Sequence, residues 1–140
     1  MKRNGIKKIY VLLAALFAGL WLAACTSSVQ QSESKDDMEF TVVSEDRLPE
    51  ELKEIVEEKK GSAFKLTYAD EGYLYICIGY GKQDSGGYSI TVDSLYETEN
   101  AIYVNTNLLG PKAGSASGSS PSYPYIVIKV EFRDKTVVFD

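Results

Sequence analysis

The sequence predicts an α+β fold that is mainly β: about seven mostly antiparallel strands in a curled sheet or partly open barrel, with one N-terminal helix. Three observations predict it. Helical spacing of apolar residues past the leader is confined to Leu52, Ile55 and Val56. After Gly61 the apolar period falls to two and stays there. The strand-like runs are mostly joined by short turns, which favours pairing between chain neighbours.

The chain opens with the basic residues Lys2, Arg3, Lys7 and Lys8, then an uncharged run from Ile9 to Ala24 of about 16 residues. That is short of the roughly 20 that span a bilayer core as a helix. Leu22-Ala23-Ala24-Cys25 ends the run on small residues, the pattern of a cleaved export signal. The tetrapeptide resembles the lipobox of bacterial lipoproteins. The resemblance implies cleavage before Cys25 and acylation of its sulfur by palmitate-like chains. Residues 1–24 are therefore expected to be a lipoprotein signal peptide, and 25–37 a lipidated cysteine and flexible tether. Residues 38–140 are expected to form the C-terminal domain. Residues 26–37 hold no aromatic and one aliphatic side chain, Val29, too little apolar surface to offset the entropy of ordering. Two or three buried acyl chains on one residue make release negligible. The expected location is the outer side of a cell membrane or envelope, with the membrane itself as a partner through the anchor.

Along the domain, Phe40–Val43 reads as a short strand. Pro49 suits the first turn of a helix over about 49–60, and Gly61 stops it. The narrow stripe of Leu52, Ile55 and Val56 should pack on a sheet face, while the many Glu residues meet solvent. Phe64, Leu66 and Tyr68 alternate with Lys65, Thr67 and Ala69, and Asp70-Glu71-Gly72 turns the chain. Tyr73–Tyr80 is apolar on both faces, as a central strand would be. Tyr88, Ile90, Val92 and Tyr96 form the next alternating run. A turn near Glu99-Asn100 leads to Ile102, Val104 and Leu108. A Gly/Ser/Pro loop from Leu109 to Tyr123 precedes the strand Tyr125–Phe132. Arg133-Asp134-Lys135 joins it to a last strand, Thr136–Phe139. Tyr68, Tyr88 and Tyr96 fall on apolar faces and are expected in the core; Tyr80, Tyr103 and Tyr123 are expected nearer loops.

The chain has no histidine, which removes Ser-His-Asp and Cys-His nucleophilic systems and most zinc sites. Cys77 lies between Ile76 and Ile78 and reads as a buried thiol rather than a nucleophile. Glu50, Glu51, Glu54, Glu57 and Glu58 could pair for acid–base work, but their helical setting makes them a solvated face. Gly79-x-Gly81 and Gly86-Gly87 join two strands instead of opening a helix, so no phosphate cradle is expected. No catalytic residue, cofactor or metal is expected, and no enzyme. Without the four leader bases, 11 Lys and Arg stand against 20 Asp and Glu, a formal −9. Such a surface repels nucleic acid and anionic lipid headgroups, and its acidity suits either solubility or recognition of a basic partner surface.

Two irregular segments remain. One runs Gly79-Tyr80-Gly81-Lys82-Gln83-Asp84-Ser85-Gly86-Gly87-Tyr88; the other runs from Gly110-Pro111 to Pro121-Ser122-Tyr123-Pro124-Tyr125. The second is longer than a small domain needs, which marks it as functional or disordered. Glycines permit left-handed backbone or close approach, and rigid amphipathic tyrosines suit recognition. The expected partner-binding residues are Gly86, Gly87, Tyr88, Tyr123, Pro124 and Tyr125. In each group a tight turn, a loop closure or a strand start is the competing structural explanation.

The order helix, Ser85-Gly86-Gly87-Tyr88-Ser89-Ile90, Tyr103-Val104, Gly110-Pro111, then Tyr123-Pro124-Tyr125-Ile126-Val127-Ile128 resembles the C-terminal domain of the PrcB family over roughly residues 39–140. Ser85 stands where that pattern would have threonine. The resemblance implies a non-enzymatic lipoprotein subunit of a surface protease complex, binding and stabilising a secreted or surface protease. Two other classes fit the same surface. A glycine loop beside a Pro/Tyr loop on a β scaffold also resembles chagasin-like inhibitors of cysteine proteases. Tyrosines on a sheet would equally suit a small ligand or polysaccharide.

Overall fold

Leu52 and Val56 are fully buried on a ten-residue α-helix, α1 (Glu50–Lys59), and what they pack against defines the architecture. The computed structural model describes residues 33–114 and 118–140, and Glu33–Asp140 form one compact unit. The expected signal peptide, Cys25 and tether residues 26–32 lie outside the described residues.

Among the described residues the chain forms eight strands: β1 (Asp36–Asp37), β2 (Thr41–Val42), β3 (Ala63–Asp70), β4 (Tyr73–Tyr80), β5 (Ser89–Glu97), β6 (Ala101–Leu109), β7 (Tyr125–Glu131) and β8 (Thr136–Phe139). A 3-10 turn, Glu45–Arg47, precedes α1. No described helix is long and apolar enough to cross a membrane.

The class is α+β and mainly β, as expected, but the strands form two four-stranded sheets rather than one curled sheet or partly open barrel. Their orders are β1-β5-β6-β8 and β2-β7-β4-β3. Leu74, Ile76 and Ile78 of β4 and Ile126, Ile128 and Val130 of β7 face Leu95, Ile102 and Val104 of the other sheet in one core. The opposite face of the same sheet offers Tyr75, Cys77 and Val127 to Leu48, Leu52 and Val56 in a second core. Helix α1 thus covers a sheet face, as its narrow apolar stripe predicts. The middle sheet is apolar on both sides because it has a layer on both sides, which is why β4 reads as a nearly continuous hydrophobic run. Each fully buried Leu or Val contributes on the order of 1.5–3 kcal/mol.

The β3–β4 and β5–β6 hairpins form as the alternation predicts. Glu71 and Gly72 turn the first of them with φ of 47° and 81°, the left-handed pair of a type I′ turn. The last two strands depart from the hairpin pattern. β7 pairs β4 in one sheet, whereas β8 lies parallel to β6 in the other. The chain crosses between sheets at Arg133–Lys135, where Arg133 Nε and Lys135 Nζ reach Glu97 of β5 at 3.4 and 2.9 Å. Beyond the crossing, Val137 and Phe139 of β8 pack against the inter-sheet core.

Residues 33–37, read in the sequence as the end of the tether, carry structure. β1 pairs Asp36 and Asp37 with Glu97 and Tyr96, Asn100 Nδ2 donates to Glu33 at 2.9 Å, and Lys35 Nζ stands 4.9 Å over the Tyr96 ring. Polar composition does not prevent ordering where a sheet edge supplies backbone partners. Tyr96, expected in the core, instead stacks on Tyr103 at 5.1 Å while its neighbour Leu95 fills the core. A bulge between Val92 and Ser94 shifts the alternation of β5 by one residue, which reverses the faces beyond it.

A two-loop candidate binding surface

The β4–β5 loop and the end of the β6–β7 loop, singled out separately in the sequence, meet in the structure. Gln83 and Ser122 form an isolated antiparallel bridge: the Gln83 N–H donates to the Ser122 carbonyl at 2.8 Å, and the Ser122 N–H returns the bond at 3.0 Å. Ser122 Oγ donates to the Ser85 carbonyl at 2.7 Å. Gln83 Nε2 donates to the carbonyl of Tyr80 at 3.3 Å. The Tyr80 N–H donates to the Pro124 carbonyl at 3.0 Å, extending the β4–β7 ladder past the strand end. A proline lacks an N–H but accepts normally, so Pro124 fits a ladder position that needs only its oxygen.

The six expected partner-binding residues divide by exposure. Gly87 is exposed with φ of 84°, a conformation glycine adopts freely and other residues rarely do. Gly86 is half-buried and its carbonyl accepts from Ser85 Oγ at 3.3 Å. Tyr88 is half-buried, its ring 3.8 Å from the place a Cβ on Gly110 would occupy. Tyr123 is exposed, at 39 %. Tyr125 is half-buried and packs on the core beneath α1, where burial pushes its phenol above the ordinary tyrosine range. Gly87 and Tyr123 are therefore the outward members of the set, and Pro124 and Tyr125 hold the loop to the sheet. Sequence reasoning passed over Gln83, Ser85 and Ser122, whose bonds join the loops. Only the polar character of each stretch marked them, and that does not specify a partner 37 residues away.

Behind the loops, Tyr80 is half-buried against the inter-sheet core and its hydroxyl lies 2.6 Å from Thr106 Oγ1, linking the sheets. Gly79 lies across from Phe64 in the β3–β4 ladder, and the Phe64 ring occupies the space a side chain there would need. Cys77 is a fully buried free thiol, with its pKa pushed up to about 12 by burial. A neutral thiol shut off from solvent is a poor nucleophile.

The geometry defines a helix-backed, two-sheet module that presents paired loops at one end of its middle sheet. Residues 74–131 match the family described as PrcB C-terminal. The match runs from the first buried residue of β4 to the end of β7 and contains both loops. No curated protein and no solved structure matches the chain.

Proposed function

We propose that the chain is a non-enzymatic, lipid-anchored binding module that docks on an extracytoplasmic protease or protease complex and stabilises it. The observation that carries this reading is the joining of the two loops inside the stretch that matches the PrcB C-terminal family. A binding surface gains affinity when its loops are ordered before the partner arrives, because less entropy is lost on docking. Four backbone and side-chain hydrogen bonds across Gln83, Ser85, Ser122, Tyr80 and Pro124 supply that order. Gly87 and Tyr123 are the contact residues: the glycine lets a partner backbone approach, and the tyrosine offers a rigid ring with a polar tip. Lipidation at Cys25 confines the module to a membrane surface and raises its local concentration toward any partner there. A partner bound only in its folded form is stabilised by RT ln(1 + [L]/Kd).

The test is recovery of the full-length chain from membranes with its bound proteins. A protease that co-purifies with the wild type and is lost with Tyr123→Ala and Gly87→Val supports the proposal. Recovery unchanged by both variants refutes the two-loop surface. Intact-mass measurement of the purified protein checks the anchor: a diacylated Cys25 at the new amino terminus is expected, and an unprocessed chain overturns that part. Lower activity of the recovered protease in the presence of the module would move the reading from stabiliser to inhibitor.

A further inference from the structure

At the end of the middle sheet opposite the paired loops, a cleft of about 850 Å³ opens where the chain crosses from β1 to β2. Its apolar floor includes two rings that are unusually open for this molecule, Phe40 at 42 % and Tyr73 at 41 % exposure. Apolar side chains gathered around a concavity and rimmed by charge mark an interaction site more than scattered exposed residues do.

The rim favours positive charge. Asp37, Glu39, Glu97 and Glu131 line the cleft against Lys129 and Arg133. Arg133 is engaged by Glu97 and Glu131 at 3.4 and 3.5 Å, and Lys135 adds a second cation to Glu97 at 2.9 Å. Among the described residues, no ion pair engages the carboxylates of Asp37 and Glu39. Tyr73 already receives a cation: Lys129 Nζ stands 3.9 Å from its ring centroid. The site therefore contains its own example of an ammonium on an aromatic face.

The floor also offers backbone. β2 pairs β7 at only two positions, Thr41 with Lys129 and Val42 with Ile128. The Val43 N–H donates to Val127, which fixes the odd-numbered residues of β7 as those turned toward β2. Glu131 is the next of them, and no described strand residue pairs it on that side. Its N–H and C=O are thus positioned to extend the ladder to a visiting strand.

From this combination we infer that the cleft takes an extended, lysine- or arginine-bearing segment of a partner protein. A cationic side chain sits over Phe40 between the carboxylates of Asp37 and Glu39 and competes with Lys129 for the Tyr73 ring, and the segment's backbone bonds Glu131. The inference rests on the reading of the chain as a protein-binding module and assigns it a second, chemically distinct contact. The formal −9 of residues 25–140 steers such a segment toward the module over longer range.

The probe is a short peptide alternating valine and lysine, titrated onto the full-length chain, with the valine–glutamate peptide as control. The lysine peptide is expected to bind, to weaken in high salt, and to shift the amide resonances of Tyr73 and Glu131. Tyr73→Ala and Glu39→Lys, both at exposed positions, should each weaken binding by about fivefold, the loss expected for one cation–ring or charge contact. Lys129→Met should tighten binding severalfold, because it frees the Tyr73 ring; a merely structural role for Lys129 would not do so. Equal binding of the two peptides, no binding, or shifts confined to the paired loops overturns the inference. If the peptide fails while the protease still co-purifies, only the cleft is refuted. If the peptide binds and no protease is recovered, the proposed function fails and the cleft stands.

Discussion

The Ser122 hydroxyl donates to the Ser85 carbonyl across 2.7 Å, and that bond joins loops 37 residues apart in sequence. It stands beside the two backbone bonds between Ser122 and Gln83, so side chain and main chain of one residue hold the neighbouring loop at three points. Replacing Ser122 by alanine removes one of the three. The expected cost is about 0.5–1.5 kcal/mol of local stability, the usual net worth of such a bond. It should appear as faster amide exchange at Gln83 with little change in the global unfolding midpoint.

Phe64 and Gly79 give a sharper packing prediction. A methyl group on Gly79 would overlap the Phe64 ring, so Gly79→Ala should destabilise the fold by about 1–3 kcal/mol. The loss should shrink in a Phe64→Val background, where the ring is gone. Chemical denaturation of the two single variants and the double variant measures the coupling.

Glu71 occupies the first central position of a type I′ turn at φ of 47°, where asparagine is better accommodated. Glu71→Asn should stabilise the chain by roughly 0.5–1 kcal/mol, read as a raised thermal midpoint.

Glu97 sets an acid limb. The hydrogen bond from Lys135, with the charges of Lys135 and Arg133, holds its carboxyl below the ordinary glutamate range. A depressed folded-state pKa contributes stability that is complete above the unfolded value of about 4.3 and is lost as pH falls through the folded value. Stability should therefore decline on acidification below about pH 4 to 5. Glu97→Gln should be less stable than wild type at neutral pH, and the difference should narrow toward acid. A constant difference across that range would rule out Glu97 as the source.

Cys77 should resist thiol reagents in the native protein at mildly alkaline pH, since burial keeps it protonated up to about 12. Labelling should proceed at the rate of global unfolding. Fast labelling without denaturant would mean that β4 opens on its own.

Local elements were legible because their signals are local. Leu52 and Val56 at helical spacing, and Phe64, Leu66 and Tyr68 at period two, mark one helix and one strand whatever surrounds them. The double burial of β4 was legible from Tyr73–Tyr80, yet the sequence does not say whether a helix, a sheet or both provide the cover. Placement of β8 was illegible for a related reason. Thr136–Phe139 follows β7 after a short link, yet it pairs with β6 and packs Val137 and Phe139 on the inter-sheet core, partners that no local pattern names. The two loops were legible as irregular segments, but not their contact. Tyr125 looked like Tyr123 in sequence, and its burial depends on α1 lying overhead.

The late arrival of β7 governs how such a chain can be made. Its Ile126, Ile128 and Val130 complete one hydrophobic layer and its Val127 the other, while its edge receives β2 from more than eighty residues earlier. A polypeptide emerging amino terminus first can close neither layer until nearly all of it is out. Assembly must wait, slowed by the long loops it has to close. Until then both apolar layers stay unsealed, so a chain halted before β7 would expose them together.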